Sequence, residues 1–128
     1  MKEKPARLRV LVVDDEWLIR WSLAETLSEA GYAVVQACDG REAMDMLTHG
    51  PAPDVILLDF RLPDSSDLKL LANIRRVAPA SAVIMMTAFG TPAVEAGALE
   101  LGAFRVIGKP LEMRDVEPLV RQAYDARP

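Results

Sequence analysis

Short apolar runs alternate with longer amphipathic stretches along the whole chain of 128 residues. The short runs are rich in valine, isoleucine and leucine on both faces, which is typical of strands buried within a parallel sheet. The longer stretches carry apolar residues at helical spacing, and several end at glycine or proline, which indicates helices. This pattern predicts strands over 8–15, 32–37, 54–59, 81–88 and 104–108, and helices over 16–31, 40–47, 68–77, 92–101 and from after Pro110 towards Tyr124.

The alternation of five strands with five helices determines the predicted fold class. Strand–helix–strand units of this kind are right-handed and build a parallel sheet that helices cover on both faces. We therefore predict an α/β fold, a doubly wound five-stranded parallel sheet with five helices. The length suits one domain with a substantial core. We accordingly predict a single domain over 1–128, whose core spans about 8–124.

Composition and charge argue against several classes of function. The formal net charge of -4 and the pI near 5.0 argue against direct nucleic-acid binding, because nothing concentrates positive charge. No apolar run reaches the length of a membrane span and no signal-peptide pattern opens the chain, so we predict no membrane association. The one cysteine, Cys38, cannot form an internal disulfide and is predicted to be a small buried apolar residue, which fits a reducing cytoplasm.

Five polar residues follow the predicted strands in a pattern that separate coincidences do not explain. In ligand-binding folds of this class, the site lies beyond the carboxyl ends of the strands, where the strand order reverses. We therefore expect the five side chains to converge on one edge of the sheet. Asp14 and Asp15 end the first strand, Asp59 ends the third, Thr87 ends the fourth, and Lys109 follows the fifth.

The residue types at this edge indicate phosphoryl chemistry. Three carboxylates close together repel one another unless a cation joins them, and a few oxygen ligands with space for water suit Mg²⁺. The only histidine, His49, has no cysteine neighbours, which argues against softer metals. Magnesium, the Lys109 ammonium and the Thr87 hydroxyl would together receive a phosphoryl group, with Asp59 as the nucleophile.

Four short motifs carry a resemblance to a known family. The sequences VVDDE, LLDFRLP, MTA and GKP, in this order and spacing, resemble the signatures of bacterial response-regulator receiver domains. The resemblance extends from about Leu8 to Tyr124. The stretch MMTAFGTPAVEAGALELGAFRVIGKP is most similar to receivers of the nitrogen-regulation class, whose full-length members are enhancer-binding activators of transcription.

The resemblance implies a flavodoxin-like receiver fold and a function in two-component signalling. Such a receiver takes a phosphoryl group from the phosphohistidine of a histidine kinase or phosphotransfer protein and switches conformation to control an output, here transcription. The surface of helix 4, strand 5 and helix 5 is the expected output or homodimer face. The chain is then either a stand-alone receiver or, as the class resemblance favours, one domain of a larger regulator.

The resemblance also implies a role for each residue of the predicted edge. It implies Asp59 as the phosphoacceptor, Asp15 as a direct Mg²⁺ ligand and Asp14 as a ligand through water. The backbone carbonyl of Arg61 would complete the protein ligands of the metal.

The remaining two residues of the edge would act on the phosphoryl group. Thr87 would be the switch hydroxyl and Lys109 the partner of the phosphate. Family receivers also tend to have a cis peptide after this lysine, here the Lys109–Pro110 bond.

Three positions depart from the family pattern or from helix chemistry. Val106 replaces a Tyr or Phe that usually couples to the switch hydroxyl, and Phe104 would lie on the same strand face as Val106. Asp67 stands where glycine is frequent, and we expect it to reshape the loop because aspartate tolerates left-handed backbone. Pro118 interrupts the last helix, which we expect to start late, with Asp115 as its cap, or to kink.

Two tryptophans lie on the first predicted helix, on the face opposite its main apolar stripe. In one interpretation, Trp17 folds back over the phosphorylation site and Trp21 covers a neighbouring helix. In the other, the two form a surface for the kinase or phosphotransfer partner, because large exposed aromatics are typical interface anchors.

Three other functions compete with the phosphoaccepting receiver. A receiver-like interaction module independent of phosphorylation would fit Val106 and Asp67, although every site residue is present. A haloacid-dehalogenase-like phosphatase needs a second acid two residues after the nucleophile, where this chain has Arg61. A nucleotide-binding Rossmann module needs a glycine-rich loop after the first strand, and none is present. We therefore predict a signalling phosphoacceptor rather than an enzyme.

Overall fold

The computed structural model describes residues 7–127, which contain a five-stranded parallel sheet. The strands are β1 Arg9–Val13, β2 Ala33–Ala37, β3 Val55–Asp59, β4 Ala82–Thr87 and β5 Arg105–Gly108. They lie in the order β2-β1-β3-β4-β5, so the chain reverses its progress across the sheet between β1 and β3. The predicted doubly wound five-stranded sheet is therefore confirmed.

Five helices connect the strands and follow the last one. They are α1 Trp17–Glu29, α2 Gly40–His49, α3 Lys69–Val77, α4 Pro92–Glu100 and α5 Met113–Asp125. Each strand, and each helix whose bounds the sequence predicted, begins and ends within two residues of its prediction. Within residues 7–127, no helix is long and apolar enough to cross a membrane.

The core consists of two apolar layers, one on each face of the sheet. Ile56 and Leu58 of β3 pack in the layer beneath α2, α3 and α4, whereas Val55 and Leu57 pack in the layer beneath α1 and α5. Successive side chains of a strand point to opposite faces, so both sets must be apolar when helices cover both. This double burial explains the uninterrupted apolar runs of the sequence.

The predicted burial of Cys38 is wrong. Cys38 is exposed, because it follows β2, which is an edge strand of the sheet. Val35 of the same strand is also 52% exposed. The apolar run of β2 therefore resembles that of a central strand, although the other elements of the fold cover this strand only in part.

The last helix does not start late. It begins at Met113 and carries Pro118 beyond its first turn, and Asp115 lies inside the helix rather than at its cap. Val116 and Val120 are buried against the sheet. Their burial anchors this segment as a helix from its first turn, and such tertiary packing overrides the cost of one lost backbone hydrogen bond.

The expectation that Phe104 and Val106 share a strand face is wrong, and the reshaped loop expected at Asp67 does not involve a left-handed backbone. Among the described residues, positive φ occurs only at Gly31 and Gly102, so Asp67 does not adopt a left-handed conformation. Its Oδ1 instead accepts a hydrogen bond from the backbone N–H of Lys69 (2.9 Å). Phe104 packs in the α1/α5 layer and Val106 in the opposite one, because Phe104 precedes β5 and lies outside its alternation.

Candidate functional site

The carboxyl ends of four strands and the loops that follow them enclose a cavity of about 280 Å³. All five strand-end residues of the sequence prediction lie at this edge, together with Arg61. Asp59 and Thr87 are buried at the ends of the interior strands β3 and β4, whereas Asp15 stands exposed after β1. The cavity is lined by Asp15, Glu16, Asp59, Arg61, Thr87, Ala88, Phe89 and Lys109.

Three carboxylates meet on one side of the cavity. One oxygen each from Asp14, Asp15 and Asp59 lies within 4.8 Å of the others. Asp14 is fully buried, and its Oδ1 accepts a hydrogen bond from the backbone N–H of Glu16 (2.9 Å). The backbone N–H of Arg61 donates to Oδ1 of Asp59 over a longer 3.3 Å. These bonds fix the orientation of the two buried carboxylates.

The Lys109 ammonium bridges the buried acids. Its Nζ lies 3.0 Å from Oδ2 of Asp14 and 3.1 Å from Oδ2 of Asp59. The exposed Glu16 is a third and more distant partner at 3.4 Å. The backbone N–H of Lys109 donates to the carbonyl of Thr87 (2.9 Å), and the Lys109–Pro110 peptide is cis, which confirms the prediction for this bond.

The charges of the cluster shift the acid–base properties of its members. Burial, reinforced by the charge of Asp14, raises the pKa of Asp59 to about 6, although hydrogen bonds from Lys109 and Arg61 oppose the rise. Burial lowers the pKa of Lys109, but its hydrogen bonds to Asp14 and Asp59 and their charges outweigh this, so it lies above its usual value. Asp59 is therefore mostly ionised near neutral pH and Lys109 stays charged.

Thr87 and Phe89 form the β4 side of the cavity. The Thr87 hydroxyl oxygen accepts a hydrogen bond from the backbone N–H of Phe89 (3.2 Å), so its own proton is available for another acceptor. The Phe89 ring is 79% exposed at the mouth of the cavity. The hydroxyl thus lies where an anion beside Asp59 could receive its hydrogen bond.

Two residues near the site were not found from the sequence. Glu16 lines the cavity, and its place directly after Asp14 and Asp15 was a signal that could have identified it. Arg20 donates to the backbone carbonyl of Asp14 (2.7 Å) and to Oε1 of Gln36 (3.2 Å), so it ties α1 to the ends of β1 and β2. Nothing in the sequence signals this role, because it depends on the position of β2 beside β1.

The tryptophan pair of α1 lies on the surface. Trp17 and Trp21 are 67% and 51% exposed, and Leu18 between them is 57% exposed. Trp17 does not line the cavity. These exposures argue against Trp17 as a cover for the site and against Trp21 as a cover for a neighbouring helix.

The donor set of the cavity fits a magnesium ion. Three carboxylates provide hard oxygen ligands within 4.8 Å of one another, which is the chemistry that Mg²⁺ prefers. The Lys109 ammonium offsets only part of their negative charge. A divalent cation would therefore reduce the remaining repulsion.

Comparisons with known proteins point to one family. The family model of the response regulator receiver domain matches residues 10–121. The chain is 32% identical over 114 residues to sporulation initiation phosphotransferase F of Bacillus subtilis, covering 89% of this chain and 91% of that protein. A solved response regulator receiver domain protein (CheY-like) from Methanospirillum hungatei superposes with a TM-score of 0.89 at 28% identity, covering 94% of this chain and 95% of that one.

Longer transcriptional regulators also contain a similar segment. The chain is 37% identical over 112 residues to the DNA-binding transcriptional regulator NtrC of Klebsiella pneumoniae, which covers 88% of this chain and 24% of that protein. It is 39% identical over 113 residues to the probable transcriptional regulator ycf27 of Guillardia theta, covering 44% of that protein. The chain thus spans less than half the length of these two regulators, in agreement with the predicted similarity to the nitrogen-regulation class.

Receiver domains interact with histidine kinases or phosphotransfer proteins, and they generally use Mg²⁺ for their phosphorylation. The match over residues 10–121 and the carboxylate cluster both agree with these properties. The chain therefore belongs to the response regulator receiver domain family, and it is the receiver domain of a two-component signalling response regulator.

Proposed function

We propose that Asp59 accepts the phosphoryl group and that the chain is a signalling phosphoacceptor rather than an enzyme. One observation carries the proposal. Asp59 is buried at the switch point of the sheet, beside Asp14 and Asp15, with the Lys109 ammonium 3.1 Å from its Oδ2. A carboxylate so placed has a charged partner ready for a phosphoryl group and lies at the wall of an open cavity.

The metal ligands follow the same proposal. Asp15 and Asp59 would contact Mg²⁺ directly, Asp14 would act through water, and the backbone carbonyl of Arg61 would add a fourth protein contribution. The ion would offset the charge of the phosphoryl oxygens. The full burial of Asp14 and its bond to Lys109 support an indirect contact, whereas the exposure of Asp15 supports a direct one.

The transfer itself needs few protein groups. An ionised Asp59 oxygen attacks the phosphorus of the donor's phosphohistidine in line, a P–O bond forms, and the P–N bond breaks. The electron pair of the broken bond stays on the imidazole nitrogen, which is protonated from solvent. Although the pKa of Asp59 is raised to about 6, most of the carboxylate is still ionised at neutral pH. Lys109 then exchanges part of its contact with Asp59 for the new phosphoryl oxygens.

The conformational switch would begin at Thr87. Its hydroxyl donates to the phosphoryl group and draws the loop that leads into α4 towards the site. The backbone bond from Lys109 to Thr87 (2.9 Å) joins the two residues that respond to the phosphate. Val106 is partly buried at the usual aromatic position, so the signal would pass to α4 through the loop. The altered surface of α4, β5 and α5 would form a homodimer and control an output, which we expect to be transcription because the longer relatives are transcriptional regulators.

The exposed tryptophans would contact the phosphoryl donor. Trp17 and Trp21 begin the helix that follows Asp15, so a histidine kinase or phosphotransfer protein that reaches the cavity also meets α1. Large aromatics supply apolar contact area at little entropic cost. The rest of the sequence prediction, a single domain over 1–128 in the cytoplasm, stays a prediction.

Intact-mass analysis after incubation with Mg²⁺ and acetyl phosphate tests the proposal. The wild type is expected to gain one phosphoryl group, and Asp59→Asn is expected to gain none. Thr87→Ala should still be phosphorylated, since the hydroxyl reads the phosphate and does not attack it. A wild type that binds Mg²⁺ but stays unmodified would contradict the proposal and would favour an interaction module independent of phosphorylation.

A further inference from the structure

Asp64 ties the loop after the phosphoacceptor strand to a distant helix. It lies five residues beyond Asp59 in the loop that joins β3 to α3. Its Oδ1 accepts from the backbone N–H of Gly40 and its Oδ2 from that of Arg41, both at 2.9 Å. The hydrogen bond from Gly40 is the main reason why the pKa of Asp64 lies below its usual value. One carboxylate thus joins the start of α2 to this loop.

The loop itself is folded tightly around Asp64. Leu62 and Ser65 exchange two backbone hydrogen bonds of 2.7 and 3.2 Å, so Asp64 sits at the tip of a narrow turn. The same turn begins next to Arg61, whose backbone N–H contacts Asp59. A force on the tip is therefore transmitted through few bonds to the backbone beside the phosphoacceptor.

Gly40 leaves room for this contact. A Cβ at Gly40 would lie 3.2 Å from Oδ1 of Asp64 and 2.9 Å from Cδ2 of Leu70. A side chain at this position would push against the carboxylate and against α3 at once. The absence of a side chain at Gly40, the first residue of α2, therefore admits Asp64 to the helix end.

The helix also has a local cap besides Asp64. Oδ1 of Asp39 accepts from the backbone N–H of Glu42 (2.8 Å), and Oε1 of Glu42 accepts from that of Cys38 (2.8 Å). The first bond is one half of a capping box, whereas Glu42 reaches the N–H of Cys38, one residue before the cap residue Asp39. Asp64 accepts from the N–H groups of Gly40 and Arg41 at the same helix end, so it both caps the helix and ties it to the loop.

We propose that Asp64 is a positioning residue of the phosphorylation site, which holds the β3–α3 loop and the backbone of Arg61 in the place required for Mg²⁺ binding beside Asp59. The inference rests on the proposed function, because it takes the carbonyl of Arg61 as part of the metal site. Loss of the tie leaves every site side chain unchanged but lets the loop move. The expected result is weaker metal binding and slower phosphorylation.

Two variants separate this role from helix stability. Asp64→Ala removes the tie to the loop, and Asp39→Ala removes the local cap of the same helix without touching the loop. Both are expected to lower the urea midpoint. Isothermal titration with Mg²⁺ should show about 10-fold weaker binding for Asp64→Ala, as for other residues that support a ligand indirectly, and a change of less than about 2-fold for Asp39→Ala.

A second pair of variants covers the case in which Asp64→Ala does not fold. Asp64→Asn retains one acceptor oxygen and should weaken Mg²⁺ binding less than the alanine variant. Gly40→Ala keeps the Asp64 side chain but introduces a methyl group that crowds its carboxylate from the helix side. This variant should weaken Mg²⁺ binding as well. Hydrogen exchange of the 60–68 backbone should rise in both Asp64 variants but not in Asp39→Ala.

The titration and the phosphorylation assay answer different questions. Equal Mg²⁺ affinities for the Asp64 and Asp39 variants would overturn the role of Asp64, even if the wild type is phosphorylated normally. A wild type that binds Mg²⁺ without accepting a phosphoryl group would instead overturn the proposed function. The comparison of metal affinities would still decide whether Asp64 positions the loop.

Discussion

At the scale of single residues, the carboxylates of the site carry more negative charge than the Lys109 ammonium offsets. Asp14 and Asp59 are almost completely removed from solvent, and Lys109 is the ammonium that contacts both. Burial favours the protonated form of an acid, and a like charge nearby strengthens this preference. An ionised Asp59 therefore destabilises the metal-free fold, and relief of that cost can contribute to the binding of a cation or a change of state.

The first prediction concerns Asp59 and pH. Its pKa in the folded protein, about 6, lies above its ordinary value of 3.8, so between these values the folded state holds a proton that the unfolded chain has released. Stability therefore falls as pH rises through this window. Without metal, Asp59→Asn is expected to raise the free energy of unfolding at pH 7 by about 1–3 kcal/mol, measured by urea unfolding.

The advantage of the asparagine variant should shrink as pH falls from 7 towards 4, because the wild-type carboxyl becomes protonated. Asp45→Asn is the matched control, since that carboxylate is 76% exposed on α2. Its effect should stay within about 0.5 kcal/mol throughout. An Asp59→Asn advantage that is independent of pH would show that the buried charge is not its cause.

The second prediction concerns Lys109. Lys109→Ala leaves two buried carboxylates without their ammonium partner, and without metal it should lower the free energy of unfolding by about 2–4 kcal/mol. Saturating Mg²⁺ should recover part of this loss, because the ion supplies positive charge beside the same carboxylates. Glu16→Gln removes only the exposed partner at 3.4 Å and should change stability by less than about 0.5 kcal/mol. Equal losses in urea unfolding would contradict this division.

At the scale of elements, the helices and strands were predictable where the local apolar pattern, and burial on both faces of the sheet, determine them. Helices and strands are recognisable because each apolar run must fill both faces of a covered sheet or one face of a helix. The prediction of a late start for α5 was wrong because Val116 and Val120 are buried against the sheet, which holds Pro118 within the helix. The predicted burial of Cys38 was wrong because composition alone does not distinguish an edge strand from a central one.

The third prediction belongs to α1. Trp21→Ala should slow phosphoryl transfer from the cognate histidine kinase or phosphotransfer protein by about 5- to 30-fold, the usual effect of removing an interface aromatic. Phosphorylation by acetyl phosphate should stay within about 2-fold, because Trp21 does not line the cavity. Quenched time courses with the phosphorylated partner and with acetyl phosphate measure the two phosphorylation rates of the variant relative to wild type.

Val77→Ala on α3 is the control for the tryptophan surface, since Val77 is also exposed, at 40%. It should leave both reactions unchanged. A Trp21→Ala variant that loses equal rate with both donors would show an effect on the site itself rather than on docking.

At the scale of the whole molecule, parallel topology is the reason why so much of the site was predictable. Once five strands run in the same direction, residues at their carboxyl ends meet, so Asp14, Asp59 and Lys109 converge although 95 positions separate the first from the last. Contacts that link a loop to another helix have no such rule. The hydrogen bonds from Gly40 to Asp64 and from Arg20 to Asp14 depend on how the layers pack, and the sequence holds no periodic signal for them.

The last prediction tests the proposed homodimer. Leu99 and Leu101 are 46% and 37% exposed at the end of α4, on the proposed dimer face. Phosphorylation should shift the wild type from monomer towards dimer in sedimentation velocity. Leu99→Asp should weaken that dimer at least 10-fold, because a carboxylate would be buried in an apolar interface, while accepting a phosphoryl group as readily as the wild type. Val77→Asp, on a helix outside this face, should dimerise normally, and a phosphorylated wild type that remains monomeric would contradict the dimer.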